Sequence, residues 1–245
     1  MENNFYGDLI RRFKKIAQDN DILNETIKVE VKVKVLKPEE AIGVPKRQDY
    51  PLLKGKEKMM EAEFKGYKGQ AFTDMPGKFS GTISDILNKK IETNFDRAIF
   101  ISTLNAVCAC LKICDRTVHC KDEEPEECAK LFVKHIKENY GSPKIALIGL
   151  QPAILQRLSE NFNVRALDLD KDKIGSIKFG VKIEDGDKNT KEVLDWCELI
   201  VATGSTSANA TITNYINDKP VIFYGTTLSA IASLKGLNRF CPCSK

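Results

Sequence analysis

Small and hydroxyl-bearing residues directly follow three apolar runs that are typical of buried strands, at residues 145–148, 199–202 and 221–224. Short side chains let a backbone approach a ligand, and a helix N-terminus after such a loop offers N–H groups to an anion. N-capping is the alternative role of the same residue types. The candidate ligand-binding residues of these loops are Gly149, Thr203, Gly204, Ser205, Thr206, Asn209, Gly225, Thr226 and Thr227.

Residues 144–170 predict a strand, a loop, a helix that begins at Pro152, and a second strand that ends near Asp168. The right-handed crossover of such a unit implies a parallel sheet, in which the carboxyl ends of the strands form one crevice. Asp168 lies where an acidic residue can bind a ribose hydroxyl of NAD or of an adenosyl cofactor. The sequence Gly149-Leu150-Gln151-Pro152, however, lacks the glycine spacing of a dinucleotide-binding loop.

Cysteine and histidine supply a second candidate site, around the polar turn at residues 115–127. Cys114, His119, Cys120 and Cys128 could converge there. Thiolate and imidazole suit Zn²⁺ or another thiophilic metal, and several thiolates could hold an iron–sulfur cluster. The alternative is a structural role, because the spacing is not C-x-x-C and cysteines in an apolar helix are often core residues.

Other nucleophiles and bases are few. Cys241 and Cys243 form a C-x-C pair on a segment expected to be flexible, where they either add metal ligands or have no role. His135 is expected at the surface of a helix, and no G-x-S-x-G or P-loop motif occurs. An enzyme of this sequence would therefore depend on a metal or on a cofactor.

The elements before these sites predict a smaller α+β domain. An amphipathic helix at residues 5–17 precedes an alternating strand at 28–36 and short strands near 61–64 and 70–73. Helices are expected at 82–91 and 95–114, and the second is apolar around its circumference and therefore buried. Asn105 lies within it, where a buried amide must be hydrogen-bonded or must face a cleft.

The second half predicts alternating helices and strands. Helices are expected from Pro125 to Tyr140 and at residues 191–197, 208–216 and 230–234, whereas 174–188 is ambiguous. The fold class is thus α/β, with an α+β domain at residues 1–115 and a Rossmann-like parallel-sheet domain at residues 116–245.

Composition excludes several classes of protein. The 245 residues are 42% hydrophobic and 29% charged, with a net charge of +4 and the 38 basic side chains spread along the chain. This pattern is not that of a nucleic-acid-binding protein. No apolar run is long enough for a membrane span, and the first residues lack a secretory signal, so a cytoplasmic location is expected. The eight cysteines then favour thiols or metal ligands over disulfides, and a homodimer is left open.

Three segments resemble a known family. Residues 203–211, the strand end at 224–227 and the pair Asn105-Ala106 are similar to sequences of the putative heavy-metal chelation family, a prokaryotic family of unestablished activity. The resemblance implies an N-terminal domain like that of enolase, a Rossmann-like C-terminal domain and a cleft between them. It supplies no agreed set of metal ligands, and the cluster of His119, Cys120 and Cys128 resembles only some members.

Three hypotheses follow. The leading one is a protein that binds a metal ion or a metal-bearing small molecule in the cleft, where thiols bind the metal and the hydroxyl loops bind an anionic group. The second is an enzyme that binds an adenosyl or nucleotide-like cofactor, with Asp168 on the ribose. The third is a scaffold protein whose cleft has no ligand.

Overall fold

The computed structural model describes residues 2–31, 42–50, 53 and 58–245. The part of the predicted first strand beyond residue 31 lies outside this set, as do residues 51–52 and 54–57. Within it, no helix is long and apolar enough to cross a membrane.

The first sheet is antiparallel and has the strand order β3-β2-β1-β4. The β2–β3 hairpin pairs Lys58 with Thr73 at one end and Phe64 with Tyr67 at the other, so the two predicted short strands are one hairpin. Met59 and Met60, neighbours on β2 that point to opposite faces, are both buried, in two different apolar clusters, so this strand is covered on both faces. The strands are β1 (Thr26–Val31), β2 (Lys58–Phe64), β3 (Tyr67–Thr73) and β4 (Phe79–Thr82).

Three helices accompany this sheet. Thr82 caps the second of them, because its hydroxyl accepts the N–H of Asp85 while the Asp85 carboxylate accepts the N–H of Thr82. This helix ends at Asn88 rather than at the predicted residue 91. The third helix is buried along most of its length, as its apolar circumference predicted, but it ends at Cys110 rather than near residue 114. The helices are α1 (Glu2–Asp19), α2 (Ile83–Asn88) and α3 (Asn94–Cys110).

The second sheet has the order β10-β9-β5-β6-β8-β7 and is parallel except for β7. Beginning at the central β5, the chain adds β6 and β8 on one side and β9 and β10 on the other, which is the Rossmann-like arrangement predicted from sequence. Residues 174–188, ambiguous in sequence, contain the β7–β8 hairpin. The strands are β5 (Ile145–Ile148), β6 (Val164–Asp168), β7 (Ile177–Lys178), β8 (Val181–Asp185), β9 (Leu199–Thr203) and β10 (Val221–Tyr224).

Helices cover the second sheet. Pro125 lies in the first turn of α4, and Gly141 follows its last residue, as predicted. The predicted helix at 208–216 is wrong, since only one turn forms at 205–208 and a short 3₁₀ turn follows at 212–214. The helices are α4 (Glu124–Tyr140), α5 (Pro152–Ser159), α6 (Gly186–Trp196), α7 (Ser205–Ala208) and α8 (Ser229–Lys235).

The two sheets share one core because α3 packs between them. A side chain on Gly69 of β3 would lie 2.2 Å from the Ala106 nitrogen of α3, so only glycine permits this approach. On its other side α3 contacts α7 and α8 of the second sheet's layer. The predicted boundary near residue 115 falls just after α3, and the division into domains stays a prediction.

The segment at residues 237–245, expected to be flexible, is packed. Phe240 donates its N–H to the Phe223 carbonyl at 2.8 Å. Lys245 and Val118 exchange backbone hydrogen bonds of 2.6 and 2.8 Å. The Phe240 ring stacks on His135 with centroids 4.2 Å apart. This docked segment, which we call the C-terminal segment, therefore lies against the polar turn at 115–127.

Candidate functional site

A cleft lies at the carboxyl ends of β5, β6, β9 and β10, as the parallel sheet predicted. It encloses about 160 Å³, which is room for a small molecule, because a single water needs roughly 10 to 15 Å³. The strand ends form one wall. The opposite wall comes from the polar turn, the start of α4 and the C-terminal segment, which contribute His119, Cys120, Cys128, Cys241 and Ser244.

Gly149 forms the tight turn between β5 and α5. Its φ is +84°, and a side chain there would lie 2.5 Å from Cγ2 of Thr203. The following helix offers few N–H donors to an anion, because Pro152 has none and Gln151 accepts that of Ile154 at 2.6 Å. This geometry agrees with the lack of dinucleotide-binding glycines.

Asp168 ends β6 and lines the cleft. Its two oxygens accept the N–H groups of Leu150 at 2.9 Å and of Asp170 at 2.8 Å, and the Lys173 ammonium lies 3.7 Å from one of them. The carboxylate thus fixes the β5–α5 loop. A carboxylate oxygen can accept a second hydrogen bond, so Asp168 can also accept one from a ligand hydroxyl.

The hydroxyls that follow β9 are largely used within their own turn. Thr206 Oγ1 donates to the Thr203 carbonyl at 2.7 Å, and Ser207 Oγ donates to the Gly204 carbonyl at 2.7 Å. Thr203 Oγ1 accepts the N–H of Ser205 at 3.3 Å. Gly204 lies behind this turn, where an added side chain would lie 2.9 Å from the Leu228 nitrogen. These contacts match the capping alternative.

Asn209 lies at the far side of the same turn and lines the cleft. Its Oδ1 accepts hydrogen bonds from the N–H and the hydroxyl of Thr211, at 3.2 and 2.8 Å. The side-chain NH₂ group, which only donates, is the part of Asn209 suited to a ligand oxygen.

The two threonines of the loop after β10 differ in the hydrogen bonds of their hydroxyl groups. Thr227 Oγ1 accepts the N–H of Phe72 at 3.1 Å, so this residue joins the loop to β3. Thr226 is completely buried, and its Oγ1 has no hydrogen-bond partner among the described residues. It also lines the cleft. Since buried hydroxyls are nearly always paired, Thr226 is the loop residue whose geometry calls for a ligand.

Asn105 does not face the cleft. Its NH₂ group donates to the carbonyls of Gln70, Thr226 and Thr227 at 2.9 to 3.2 Å, and its oxygen accepts the N–H of Ala230 at 2.8 Å. The amide therefore holds the loop after β10 in place from behind, which is the structural alternative for this residue.

The four predicted metal-site residues separate in the structure. His119, Cys120 and Cys128 line the cleft, whereas Cys114 lines a different pocket on the surface. Cys114 is separated from the other three residues because α3 ends at Cys110 and the chain after it leads away from the cleft. Cys241 takes its place beside Cys128, and Cys243 also hydrogen-bonds with Cys128.

Cys241 lies in surroundings that favour its thiolate. A hydrogen bond from the Cys128 thiol lowers the pKa of Cys241 well below the ordinary value, against the opposing effect of burial. The Arg239 guanidinium, Ser244 and the Gly225 N–H lower it further. The same hydrogen bond, together with burial, raises the pKa of Cys128. We therefore expect Cys241, rather than Cys128, to be the cysteine of this pair that ionises first.

His119 presents a neutral ring to the cleft. Burial lowers its pKa, and its Nδ1 lies 2.5 Å from the Cys120 carbonyl. Because a carbonyl only accepts, Nδ1 carries the proton and Nε2 keeps its lone pair. Burial also raises the pKa of Cys120, which stays a thiol.

Among the described residues, no group of three or more His, Cys, Asp or Glu side chains is arranged to hold a metal ion. The donor types of the cleft, thiolate and imidazole, nevertheless suit a soft metal. Sequence patterns left the role of Cys241 open and did not indicate Arg239 or Ser244. No pattern in the neighbouring sequence places Arg239 or Ser244 in the site, because their positions depend on the long-range pairing of Lys245 with Val118.

Comparison with known proteins agrees with this fold. The model of the DUF364 family, described as "putative heavy-metal chelation", matches residues 133–238. The family resemblance seen in the sequence is thus confirmed over that part of the chain. No curated protein matches the sequence.

Two solved structures of proteins of unknown function from the DUF364 family are similar to the chain. The one from Pyrococcus horikoshii is 16% identical with a TM-score of 0.52, over 89% of this chain and 79% of that chain. The one from Desulfitobacterium hafniense DCB-2 is 10% identical with a TM-score of 0.48, over 73% and 72%. The first likeness supports the α+β part followed by a Rossmann-like sheet. The likeness of the first part to the enolase N-terminal domain stays a prediction.

Proposed function

We propose that the protein binds a soft metal ion carried by a small anionic chelator, in the cleft at the carboxyl ends of the parallel strands. The observation that carries this proposal is that the Cys128–Cys241 pair and the unpartnered Thr226 hydroxyl line the same cavity. Thiolate is a preferred ligand of soft metals, and an unpaired hydroxyl calls for a polar ligand atom.

A chelated metal fits the cleft better than a bare ion. A structural site for a bare soft ion uses about four protein ligands. The described residues offer no arrangement of three such side chains, so a bare ion would be incompletely held. A chelator supplies the missing ligands and leaves positions for Cys241 and for a neighbour such as Cys128 or His119. The organic part would then lie against Thr226 and Asn209.

Cobalt binding tests this function, because thiolate ligands give Co²⁺ an intense charge-transfer absorption. Reduced, anaerobic protein is titrated with Co²⁺, and then with Co²⁺ in the presence of excess citrate, a small tricarboxylate. We expect the thiolate absorption to survive excess citrate, since the complex binds as a unit. A bare-ion site would lose its metal to citrate, and that outcome would contradict the proposal.

Matched variants locate the site. Cys241→Ser should abolish the cobalt–thiolate absorption and Cys128→Ser should weaken it, while Cys110→Ser, a half-exposed cysteine outside the cleft, should leave it unchanged. Circular dichroism of each variant checks folding. Equal absorption in Cys241→Ser and wild type would refute the assignment of this thiolate.

A nucleotide-like cofactor is the second proposal, supported by the position of Asp168 at the end of β6 within the cleft. Thermal shifts with S-adenosylmethionine and ATP test it. A ligand present at 100 times its Kd should stabilise the protein by about 2.7 kcal/mol. Asp168→Asn should reduce that shift if the carboxylate binds the ribose, and an unchanged shift would remove Asp168 from the site.

A further inference from the structure

A second pair of cysteines lies outside the cleft, where α3 ends. The helix closes with the N–H of Ile113 bonded to the Cys108 carbonyl at 2.8 Å and that of Lys112 bonded to the Ala109 carbonyl at 3.1 Å. This is a Schellman turn, and it requires a left-handed residue, here Lys112 with a φ of +58°. Cys114, two residues after Lys112, is thereby brought back over Cys108, with its N–H 3.4 Å from the Cys108 carbonyl.

The two sulfurs of this pair have different surroundings. Cys108 is completely buried in the core, whereas Cys114 is half-buried and lines a surface groove. The side chains share a hydrogen bond, which lowers the pKa of Cys114 and raises that of Cys108. The charge of Arg239 also lowers the pKa of Cys114. An accessible cysteine with a lowered pKa thus has a buried thiol as its immediate partner, the arrangement of an attacking and a resolving cysteine.

The groove around Cys114 is basic. Among the described residues that line it, Lys68, Lys112, Arg116 and Lys245 are cationic and Asp115 is the acidic one. Two of these positive charges are partly compensated by ion pairs. The Lys68 ammonium lies 3.7 Å from a carboxylate oxygen of Glu61, and the Lys245 ammonium lies 3.1 Å from one of Glu124. The exposed ammonium of Lys112, two residues from Cys114, favours a negatively charged partner for the thiolate.

We propose that Cys108 and Cys114 form a dithiol that reduces anionic low-molecular-weight disulfides in this groove. The Cys114 thiolate attacks one sulfur of the disulfide, forms a mixed disulfide with it and expels the other half as a thiolate. Cys108 then attacks the Cys114 sulfur, forms the Cys108–Cys114 disulfide and expels the second half. The proton of the Cys108 thiol goes to a departing thiolate. The dithiol loses two electrons and the small disulfide gains them.

Oxidised glutathione and cystamine test this activity as an anionic and a cationic disulfide. The fully reduced protein is exposed to each, quenched at intervals and mapped by peptide mass spectrometry, which separates this pair from the cysteines of the cleft. We expect a Cys108–Cys114 disulfide that forms roughly tenfold faster with oxidised glutathione than with cystamine at low salt. The preference should diminish at high salt, where surface charges are screened.

Variants test each step. Cys108→Ala should accumulate a glutathione adduct on Cys114, because the resolving thiol is absent. Cys114→Ser, a change of a half-buried residue, should abolish both the adduct and the disulfide, while Cys110→Ser should leave them unchanged. Lys112→Asn should slow the reaction with oxidised glutathione and not that with cystamine, since Asn tolerates the left-handed turn and lacks the charge.

Three results would overturn the proposal. These are the absence of a Cys108–Cys114 disulfide in wild-type protein, equal adduct formation on Cys110 and Cys114, and a rate with cystamine that equals or exceeds that with oxidised glutathione at low salt. Circular dichroism confirms that each variant is folded. Because the cobalt experiment uses different cysteines, either proposal can fail without the other.

Discussion

Thr226 is the residue at which stability and binding are expected to oppose each other. Its buried hydroxyl makes no hydrogen bond in the described structure, so the free-energy cost of removing this hydroxyl from water on folding is not compensated. We predict that Thr226→Val, which keeps the shape and removes the hydroxyl, raises the free energy of unfolding by about 1 kcal/mol. The same change should weaken binding of cobalt citrate, because the ligand then loses its polar partner.

Thr103 provides a matched control for this prediction. Its Oγ1 is also buried without a partner, but Thr103 belongs to α3 and does not line the cleft. Thr103→Val should stabilise the protein by a similar amount and leave cobalt citrate binding unchanged. Urea denaturation and the cobalt titration together measure both effects. Equal binding by the two variants would exclude Thr226 from the ligand site.

Cys241 is predicted to be ionised at neutral pH. The hydrogen bond from Cys128 and the charge of Arg239 hold its pKa below the ordinary value. Because the folded pKa is lowered, the resulting stabilisation is fully present above the pKa of an unfolded thiol, about 8.5. It is lost as the pH falls through the lowered folded value.

Ultraviolet absorbance of the thiolate measures this ionisation. The difference between wild type and Cys241→Ser should show one thiolate that persists at neutral pH and disappears on acidification. Arg239→Gln should shift that titration towards higher pH, since a neighbouring positive charge is removed. A difference spectrum that appears only above pH 8.5 would contradict an ionised Cys241.

At the scale of elements, the sequence predicted best where one local signal is strong. The apolar runs of β5 and β10 are confirmed at the same residues. The helix expected at 208–216 is wrong because the Asn209 side chain accepts the backbone N–H of Thr211 and Ala210 has a left-handed φ of +65°.

The composition of the cleft was less predictable than its location. Parallel strands must bring their carboxyl ends together, so the hydroxyl loops could be placed in one crevice from their positions in the sequence. The pairing of Cys241 with Cys128 instead depends on contacts between residues far apart in the chain, such as Phe240 with His135. Cys114 was misplaced because a Lys in the left-handed conformation, rather than Gly, ends α3.

At the scale of elements, a stability prediction concerns the β5–α5 loop. Gly149→Ala should destabilise the protein by about 2 to 4 kcal/mol, because Ala disfavours the positive φ and its Cβ would lie 2.5 Å from Thr203 Cγ2. Adding Thr203→Ser removes that methyl group and should recover about 1 kcal/mol. Urea denaturation of both single variants and the double variant measures the coupling. Additive effects would show that the methyl contact does not limit this loop.

At the scale of the whole molecule, Asn105 connects the two sheets. Its amide lies in α3 and bonds to the Gln70 carbonyl in β3, to the loop after β10 and to the Ala230 N–H in α8. Both sheets also contribute to one continuous apolar core. A buried polar group that is left without its hydrogen-bond partner destabilises the folded state. Because the partners of this amide lie in both halves, we expect the two halves to unfold together.

We predict that Asn105→Leu lowers the free energy of unfolding by about 3 to 5 kcal/mol, since it leaves a buried N–H and several carbonyls with fewer partners. Trp196, the single tryptophan, reports on the second sheet by fluorescence, and circular dichroism reports on the whole chain. Both signals should give one coincident urea transition in wild type, moved to lower urea in the variant. Asn139→Ala, an exposed amide on α4, is the control and should change stability by less than about 0.5 kcal/mol. A tryptophan transition that stays in place while the circular dichroism changes would show that Asn105 stabilises the first sheet alone.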